Sequence, residues 1–421
     1  MKTDSIAIVG AGIIGITSAY LLSRAGYRVM LLDAGRGPAL GTSFANGAQL
    51  SYSYTDAMAS PGLVAKMPGI LLGRDPAFRV RMSAERQLLR WGSRFLMHAQ
   101  AAREEQNTRN ILRLSLHSRE VLHRAQDECG IEFGHRLSGK LHIYGNRQDL
   151  DKAAIRVQQK GEWGCPQQVL DWQQCLALEP GLAQLATPMA GGVYSSLDEV
   201  GDCQHFAVRL LAQLRQQGVE EHYQCRVQRL RKEGNRITGL DTSQGPLTAD
   251  AYLLATGPDS LALARGIGMA LPIYPIKGYS ITVPATGQAP DVCITDVDNK
   301  VVFARLGDRL RVAGCADIVG YDRELDEQRI AHLLRVCRQR FPEAGDYDRI
   351  LDRWTGFRPV TPSSAPIIGR AGADNLYLNL GHGMLGWTLA MGSASLLAAR
   401  LGGYPAPIDD TGLRPIDHGL R

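Results

Sequence analysis

The first 33 residues carry three hydrophobic patterns in a fixed order. Ser5–Val9 is an apolar run of strand length, residues 13–24 resemble a helix, and residues 29–32 form a second apolar run. The glycines Gly10, Gly12 and Gly15 lie at the first junction, and Asp33 ends the second run. This order predicts strand, glycine turn, helix and strand, the context in which Gly-x-Gly-x-x-Gly indicates a dinucleotide site.

Helical and strand patterns also alternate along the rest of the chain. A second strand–glycine–helix unit begins with the apolar run Leu376–Leu380, continues through Gly381–Gly386 and ends near Arg400. The other predicted elements are helices within 84–128, 201–218 and 324–341, strands at 139–144, 190–195 and 251–257, and an antiparallel sheet over 273–315.

The order of these elements predicts two interleaved domains. Segments typical of nucleotide binding lie at both ends of the chain and near residue 257, with helical and antiparallel segments between them. We therefore predict an α/β fold in which a Rossmann-like domain is interleaved with an α+β substrate domain built on an antiparallel sheet. The predicted boundaries are 1–85, 190–265 and 350–421 for the nucleotide domain, and 86–189 and 266–349 for the substrate domain.

Each residue of the first glycine motif has its own expected role. Gly10 permits the tight turn, Gly12 lets a pyrophosphate approach the backbone, and Gly15 lets the helix pack closely on the strand. Asp33 suits hydrogen bonding to an unphosphorylated ribose. This segment alone does not decide whether the bound dinucleotide is NAD or FAD.

Composition excludes several classes of protein. The chain has 421 residues, 44% hydrophobic and 21% charged, with a net charge of +5, which is typical of a globular protein of two domains and too mild for nucleic-acid binding. No apolar run approaches the ~20 residues of a membrane span, and the N-terminal run lacks a signal-peptide cleavage site. Eight scattered cysteines without a CxxC pair, and no HExxH, predict reduced thiols, a cytoplasmic location and no metal centre.

Basic residues are concentrated between residues 61 and 94. Seven lysines and arginines oppose Asp75 and Glu85 there, next to the apolar run at 61–73. Such a stretch is typical of contact with an anionic membrane surface. The alternative is a solvated basic helix that follows a buried loop.

Several blocks, taken in order, resemble one family. They are Gly41-Thr-Ser-Phe-Ala-Asn46, Gly201-Asp-Cys203, Tyr274-Pro-Ile-Lys-Gly-Tyr-Ser280, Trp354-Thr-Gly-Phe-Arg-Pro359 with Thr361-Pro362, and Gly381-His-Gly383 with Gly386-Trp-Thr388. Together they resemble the D-amino-acid dehydrogenase family, within the glycine oxidase and sarcosine oxidase group of FAD-dependent oxidoreductases. The resemblance covers nearly the whole chain.

The resemblance implies a glutathione-reductase-type FAD domain and the oxidative deamination of a D-amino acid. Hydride passes from Cα of a D-amino acid to flavin N5, and the imino acid hydrolyses to a 2-oxo acid and ammonia. Electrons then pass to a quinone or another respiratory acceptor, which implies a peripheral position on the inner face of the cell membrane. No cysteine adjoins the Gly-Phe-Arg-Pro block in the sequence, so we expect non-covalent FAD.

Three residues are the expected catalytic group. Arg358 is expected to bind the substrate carboxylate bidentately, and Tyr279 either donates a hydroxyl to that carboxylate or is a core aromatic residue. His382 is either a proton acceptor for the substrate amine or a hydrogen-bonding wall residue.

Further residues complete the predicted site. Ser51-Tyr52-Ser53-Tyr54 stands where the family has Ser-Pro-Gly-Tyr, which exchanges a rigid turn for two aromatic residues near the pocket mouth, and His205 follows the Gly-Asp-Cys block. Tyr52, Tyr54 and His205 are therefore expected to contact substrate. The helix that begins near Gly386 is expected to direct its dipole at the flavin. The expected cofactor-binding residues are Gly10, Gly12, Ile13, Ile14, Gly15, Asp33, Ala34, Thr42, Ser43, Ala45, Asn46, Gly47, Ala48, Gln49, Val227, Thr256, Gly257, Gly356, Arg358, Gly381, His382, Gly383, Met384, Leu385, Gly386, Trp387 and Thr388.

Alternative functions remain open at this point. The chain is also compatible with a glycine-, sarcosine- or proline-type amino or imino acid oxidase, or with a subunit of a multi-subunit dehydrogenase. A flavin-binding module without turnover belongs to a different class, and Arg358 argues against it because such a module has little use for a carboxylate-binding arginine. The hypothesis that the chain is an NAD dehydrogenase does not account for the C-terminal glycine–helix unit.

Overall fold

The structure is a computed structural model that describes residues 4–81 and 83–420. Its strands are β1 (Ser5–Val9), β2 (Arg28–Leu32), β3 (Gln49–Leu50), β4 (Phe78–Val80), β5 (Lys140–Tyr144), β6 (Gln168–Leu170), β7 (Gly191–Ser195), β8 (Glu199–Val200), β9 (Glu220–His222), β10 (Val227–Glu233), β11 (Arg236–Thr242), β12 (Gly245–Leu247), β13 (Ala251–Leu254), β14 (Tyr274–Pro284), β15 (Cys293–Asp296), β16 (Val301–Leu306), β17 (Arg309–Ile318), β18 (Asp352–Val360), β19 (Ile367–Arg370) and β20 (Leu376–Leu380).

The helices of the described chain are α1 (Ile13–Arg24), α2 (Pro61–Leu71), α3 (Arg86–His98), α4 (Ala101–Cys129), α5 (Arg147–Glu162), α6 (Trp172–Leu178), α7 (Cys203–Gln216), α8 (Ser260–Gly266), α9 (Glu327–Arg340) and α10 (Gly386–Leu401). Six of these ten helices, α1, α3, α4, α7, α9 and α10, lie within a few residues of the predicted positions, and the other four were not predicted. Asp202 accepts hydrogen bonds from the backbone N–H groups of Gln204 and His205 at the start of α7, as its position before that helix suggests.

Two large sheets organise the chain, and together they confirm the predicted fold class. The first has the order β19-β20-β13-β1-β2-β9, parallel except for β19 at its edge. Helices α1, α7 and α10 bury their apolar faces in one core with β1 and β2. This sheet is the Rossmann-like part, and its strands come from four separated regions of the sequence.

The second sheet is mainly antiparallel and holds nine strands. Its main path is β18-β14-β17-β16-β15-β5-β7-β6, and β4 adds to β17. The long strand β14 pairs with both β18 and β17, and α9 covers one face of the sheet in a separate core. The predicted antiparallel region at 273–315 is therefore the centre of this sheet.

The strand pairings place several segments outside the predicted domain boundaries. Strands β4, β7 and β18 fall within the ranges predicted for the nucleotide domain, but they pair in the nine-stranded sheet. Helix α4 falls within the range predicted for the substrate domain, but it packs on α10 in the core of the first sheet. Such membership depends on long-range pairing, which local patterns do not encode. We propose domain boundaries that are revised to follow these strand and helix pairings.

One interpretation of the basic stretch is a solvated helix that follows a buried loop at 61–73. The structure has no buried loop at that position. Most of this segment forms α2, and Leu71 and Leu72 at its end are exposed. Helix α3 buries Trp91 and Phe95 and exposes Leu89, Leu96 and Met97 beside its arginines. Within the described part of the chain, no helix is both long and apolar enough to cross a bilayer.

Candidate cofactor and substrate cavity

A large cavity, of about 1690 Å³, is lined by residues of both sheets. Its lining includes the segments that directly follow β1, β2, β13 and β20, which start at Gly10, Asp33, Ala255 and Gly381. Ligands of open parallel sheets bind at the carboxyl ends of the strands, and this cavity has that position. Strands β14, β17 and β18 of the second sheet form the opposite wall.

The first glycine turn is shaped by close backbone contacts. Gly10 has φ +109°, and a Cβ there would lie 2.8 Å from the carbonyl oxygen of Ala255. A Cβ at Gly15 would lie 1.8 Å from the carbonyl oxygen of Gly10, whereas the nearest atom to a Cβ at Gly12 is the Ser43 hydroxyl at 3.4 Å. Gly10 and Gly15 therefore permit packing, and Gly12 keeps the backbone open toward the cavity.

Asp33 holds this turn as well as lining the cavity. Its Oδ2 accepts a hydrogen bond of 2.7 Å from the N–H of Ala11, and its Oδ1 accepts one of 2.7 Å from the N–H of Gly35. Each carboxylate oxygen retains a second lone pair for a hydroxyl donor. The predicted ribose contact therefore remains available.

The segment 41–49 is fixed between the two sheets. Thr42 Oγ1 donates to the carbonyl oxygen of Phe357 at 2.8 Å, and Ser280 Oγ donates to that of Ala45 at 2.5 Å. Ser43 Oγ accepts the N–H of Ile13 at 3.0 Å, at the start of α1. Ala48 has φ +55°, so the order Gly47-Ala48 places a non-glycine residue in the left-handed region.

The second strand–glycine–helix unit places two incompletely satisfied polar side chains at the cavity. His382 is 3% exposed, and its Nε2 has no hydrogen-bond partner among the described residues. Asn379 Nδ2 donates to Ser18 Oγ, while its Oδ1 has no partner within the described part of the chain. Burial lowers the pKa of His382 to about 3, so its imidazole is neutral near pH 7.

Arg358 lies on β18 with its guanidinium across β14. Its Nη1 donates to the carbonyl oxygen of Cys315 on β17 at 2.8 Å. No carboxylate among residues 4–81 and 83–420 forms an ion pair with it, although burial lowers its pKa. The guanidinium thus has donors left for an anion in the cavity.

Cys315 is a neighbour of Arg358 that the sequence did not indicate. The expectation that no cysteine adjoins the Gly-Phe-Arg-Pro block holds only along the chain, because β17 carries Cys315 into the cavity wall beside Arg358. Burial raises the pKa of its thiol to about 11. A protonated thiol is a poor nucleophile, which agrees with the proposal of non-covalent FAD.

Tyr279 lines the cavity, but its hydroxyl is committed to a protein carboxylate, so the structure favours the core-aromatic alternative over the carboxylate ligand. Its hydroxyl donates to Asp317 Oδ2 at 2.9 Å, and Arg329 donates to the same carboxylate. Burial, followed by Asp317, raises the pKa of the phenol. Tyr279 belongs to the core under α9, because alternation along β14 puts its side chain on the opposite face from Gly278 and Ser280.

Two residues expected to contact substrate lie outside the cavity. Tyr52 is fully buried in the core of the first sheet, and His205 is exposed on α7; neither lines the cavity. Tyr54 does line it. Among the expected cofactor residues, Gly15, Ala45 and Ala48 lie behind the wall, since they pack or turn the backbone, and the others line the cavity.

One cluster of potential metal ligands lies outside the cavity. His123, His135 and the buried Glu199 place ligand atoms within 4.8 Å of one another. Glu199 already accepts hydrogen bonds from both histidines and from Arg119 Nε, each at 2.8 Å. These donors satisfy the carboxylate, so we assign the cluster a structural role.

The cavity residues fit an FAD molecule. Gly12 leaves an open cradle at the start of α1, and Asp33 offers acceptors where a ribose would lie. The unpartnered Nε2 of His382 and Oδ1 of Asn379 need partners that a flavin ring or water supplies. The volume exceeds that of a typical small-molecule pocket, as an elongated dinucleotide requires.

Comparison with known families agrees with this geometry. The family model described as FAD dependent oxidoreductase matches residues 5–400. The chain belongs to this family of FAD-dependent oxidoreductases. It is therefore a flavoenzyme with FAD as its cofactor.

The oxidoreductase has relatives of similar length. It is 39% identical over 411 residues to a D-amino acid dehydrogenase of Paramagnetospirillum magneticum, covering 97% of each chain. It is 40% identical over 414 residues to a D-amino acid dehydrogenase of Rhizorhabdus wittichii, covering 98% of this chain and 99% of that one.

Solved structures share the oxidoreductase's fold at low sequence identity. Glycine oxidase of Geobacillus kaustophilus superposes with a TM-score of 0.76 at 21% identity, covering 98% of both chains. L-proline dehydrogenase of P. horikoshii superposes with a TM-score of 0.75 at 16% identity, covering 100% of both. At these identities the likeness supports the fold alone.

Proposed function

We propose that the protein is a D-amino acid dehydrogenase that oxidises the Cα–N bond of its substrate. The single observation that carries the proposal is Arg358, whose guanidinium lies at the cavity without a carboxylate partner among the described residues. The relatives at 39–40% identity are D-amino acid dehydrogenases, which supports this reaction and the D configuration.

The first step for the protein is to orient the amino acid. A planar guanidinium binds a carboxylate through two parallel hydrogen bonds, which fixes the rotation of the substrate and the direction of its Cα–H bond. The Cys315 carbonyl holds Nη1 of Arg358, so the arginine is positioned before substrate arrives. FAD, when bound, supplies the hydride acceptor.

The second requirement of the reaction is that the substrate amine loses its proton. Loss of hydride from Cα requires a neutral amine, and the resulting imino acid takes up water to give a 2-oxo acid and ammonia. His382, whose pKa is about 3, is too weak a base to collect this proton near pH 7. We therefore assign His382 to the wall, as a neutral hydrogen-bonding group, and propose that the substrate binds as its neutral amine, after the ammonium proton has passed to bulk solvent.

The cavity-lining residues of the two glycine–helix units are the proposed cofactor ligands. Gly12 and the N-terminus of α1 would hold the pyrophosphate, and Asp33 the ribose. The N-terminus of α10, from Gly386, would stabilise negative charge on the flavin ring. Burial raises the pKa of the Cys315 thiol, which favours its protonated form and supports a non-covalent flavin.

We further propose a quinone as electron acceptor and a peripheral position on the inner face of the membrane. Helices α2 and α3, with the residue that follows α2, expose Leu71, Leu72 and Leu89 beside basic residues, a pattern that suits an anionic lipid surface. A lipid-soluble quinone is accessible to an enzyme bound in this way.

Anaerobic mixing of the purified flavoprotein with single amino acids tests the reaction. D-amino acids should bleach the flavin absorbance while L-amino acids do not, and Arg358→Ala should lower the rate by at least about 100-fold, as expected for a lost charge-assisted bidentate contact. Bleaching by glycine, sarcosine or proline instead would move the protein to the oxidase alternatives. If no amino acid bleaches the flavin, the proposal fails.

A further inference from the structure

A bulge in β17 lies directly beside Arg358. The register of β14 and β17 shifts at Gly278, where β17 has two residues, Cys315 and Ala316, opposite one. Cys315 has φ +60°, and its carbonyl oxygen accepts the hydrogen bond from Arg358 Nη1. The N–H of Ala316, in the same peptide group, donates to the carbonyl oxygen of Ala77 at 2.8 Å, just before β4. This one peptide group therefore places the Ala77 oxygen within about 8 Å of the guanidinium.

The cavity wall around the bulge is apolar. Ile276 is paired with Arg358 across β14 and β18, and Ala316 is paired with Phe78 of β4, so the members of each pair share a face of the sheet. Ile276, Ala316 and Phe78 all line the cavity. Asp317, the next residue in β17, accepts a hydrogen bond from α9 on the opposite face. Alternation along β17 therefore directs the Ala316 side chain into the cavity.

The segment before α2 and the first turn of α2 add to this apolar surface. Met58 and Leu63 line the cavity, and both pack in the same apolar cluster as Ile276 and Ala316. Ser60 fixes the start of α2, since its hydroxyl accepts a hydrogen bond of 3.1 Å from the N–H of Leu63. We call Ile276, Ala316, Met58 and Leu63 the apolar pocket.

The chemistry of the apolar pocket favours one kind of ligand side chain. The charges that adjoin Phe78 are already paired, because Lys300 Nζ lies 5.5 Å from the centre of the Phe78 ring and 2.8 Å from Asp75 Oδ2. A polar side chain that enters the pocket loses its hydrogen bonds to water, and the four apolar side chains offer none in return. An apolar side chain gains free energy for each methylene that it removes from water.

We propose that the apolar pocket binds the side chain of the substrate and that Ala316 limits the size of that side chain. The inference rests on the proposed function, because Arg358 must hold the substrate carboxylate for the side chain to reach the pocket. It names the substrate class as D-amino acids with an extended apolar side chain, such as D-norleucine and D-methionine. One peptide group thus has two tasks, since its Cys315 carbonyl positions the carboxylate ligand and Ala316 provides a surface for the side chain.

The kinetic test compares D-methionine with D-glutamine, which has a similar length and an amide in place of the thioether. We expect kcat/KM for D-methionine to exceed that for D-glutamine by at least about tenfold, since a buried amide without hydrogen-bond partners carries that cost. Equal values, with both amino acids reducing the flavin, overturn this inference and leave the proposed function standing. If no D-amino acid reduces the flavin, the proposed function fails and the inference fails with it.

Ala316→Leu tests the limit on size. The larger side chain should fill the pocket and lower the ratio of kcat/KM for D-methionine to that for D-alanine by at least about tenfold, because a close-packed site does not accept added methylenes. Ala262→Leu is the matched control and should keep the ratio, since Ala262 also lines the cavity but lies on α8, which follows β13 of the first sheet. A ratio that Ala316→Leu leaves unchanged overturns the role of Ala316.

Binding of 2-oxo acids to the oxidised holoenzyme, followed by the flavin absorbance spectrum, is a test without turnover. Each buried methylene contributes about fourfold in affinity, so 2-oxohexanoate should bind at least about 30-fold more tightly than pyruvate, which is shorter by three methylenes. Ala316→Leu should reduce this difference. Equal affinity of the unaltered protein for the two acids overturns the inference, and this comparison holds even if the variant does not fold.

Discussion

The guanidinium of Arg358 lies so close to Gly278 that a Cβ at residue 278 would be 2.5 Å from its Cζ. Neighbouring strands β18 and β14 bring the two residues together, with Arg358 paired to Ile276 and Gly278 to Gly356. The missing side chain at 278 thus creates the space in which the arginine crosses β14 to reach the Cys315 carbonyl. The position of the proposed carboxylate ligand depends on a glycine two residues away in register.

Gly278→Ala should displace the arginine without removing its charge. We expect kcat/KM for the preferred D-amino acid to fall by about 100-fold, since a displacement of about 1 Å at a reacting centre has that effect. Steady-state kinetics and a melting temperature on the same preparation measure it. Gly266→Ala is the control, because a Cβ there meets nothing within 4 Å; equal activity of the two variants would contradict the positioning role.

Substitutions at two glycines of the first turn should have different effects, because Gly15 permits packing and Gly12 is expected to contact the cofactor. Gly15→Ala puts a Cβ 1.8 Å from the Gly10 carbonyl, so it should lower the free energy of unfolding by more than about 3 kcal/mol. Gly12→Ala should leave the cofactor-free protein folded but weaken FAD binding about tenfold, the effect of losing one hydrogen bond to phosphate. Urea unfolding of the cofactor-free proteins and FAD titration distinguish the two. Equal destabilisation by both would refute the division.

The buried His382 should make the protein sensitive to mild acid. Its pKa of about 3 in the folded state lies below the ordinary value of 6.5, so the unfolded chain binds a proton that the folded chain excludes. The free energy of unfolding should therefore fall as pH drops below about 6.5, by about 1.4 kcal/mol per pH unit from this residue. His382→Asn should remove that part of the slope, as urea unfolding at pH 5.5 and 7.5 would show. An unchanged slope would mean that His382 is protonated or exposed in solution.

Exposed leucines of α2 and the residue after it should govern membrane contact. Leu72→Ser should reduce cosedimentation with vesicles of phosphatidylglycerol and phosphatidylcholine, since each buried leucine contributes about 2 kcal/mol. Leu137→Ser is a matched control, because both leucines are 68% exposed and Leu137 lies outside α2 and α3. If both variants bind vesicles like the unaltered protein, α2 is not the contact surface.

Local patterns were enough to predict the parts of the fold that local chemistry dictates. The strand–glycine–helix units at Gly10 and Gly381 lie where the sequence places them, because turn, helix start and strand are each encoded within about thirty residues. Pairing between elements that are far apart in the sequence has no such local pattern. Strand β4 joins β17, and α4 joins α10, through contacts between residues more than two hundred positions apart in the sequence.

Side-chain direction explains most of what the sequence missed in the site. Tyr279 and Gly278 are adjacent in β14, and only the phase of the strand decides that the glycine faces the Arg358 guanidinium and the tyrosine hydroxyl faces Asp317. A motif block therefore identifies the neighbourhood of a site, while register decides which of its members face the ligand.

The parallel sheet also fixes when the protein acquires its cofactor. Strand β1 pairs with β13, and β13 pairs with β20, which lies far later in the sequence. During synthesis the loop at Gly10 therefore emerges well before the segment from Gly381 to Thr388 that closes the cavity. A nascent or truncated chain that lacks this segment has the phosphate loop but no wall at His382, so capture of the intact cofactor is a late, post-assembly event.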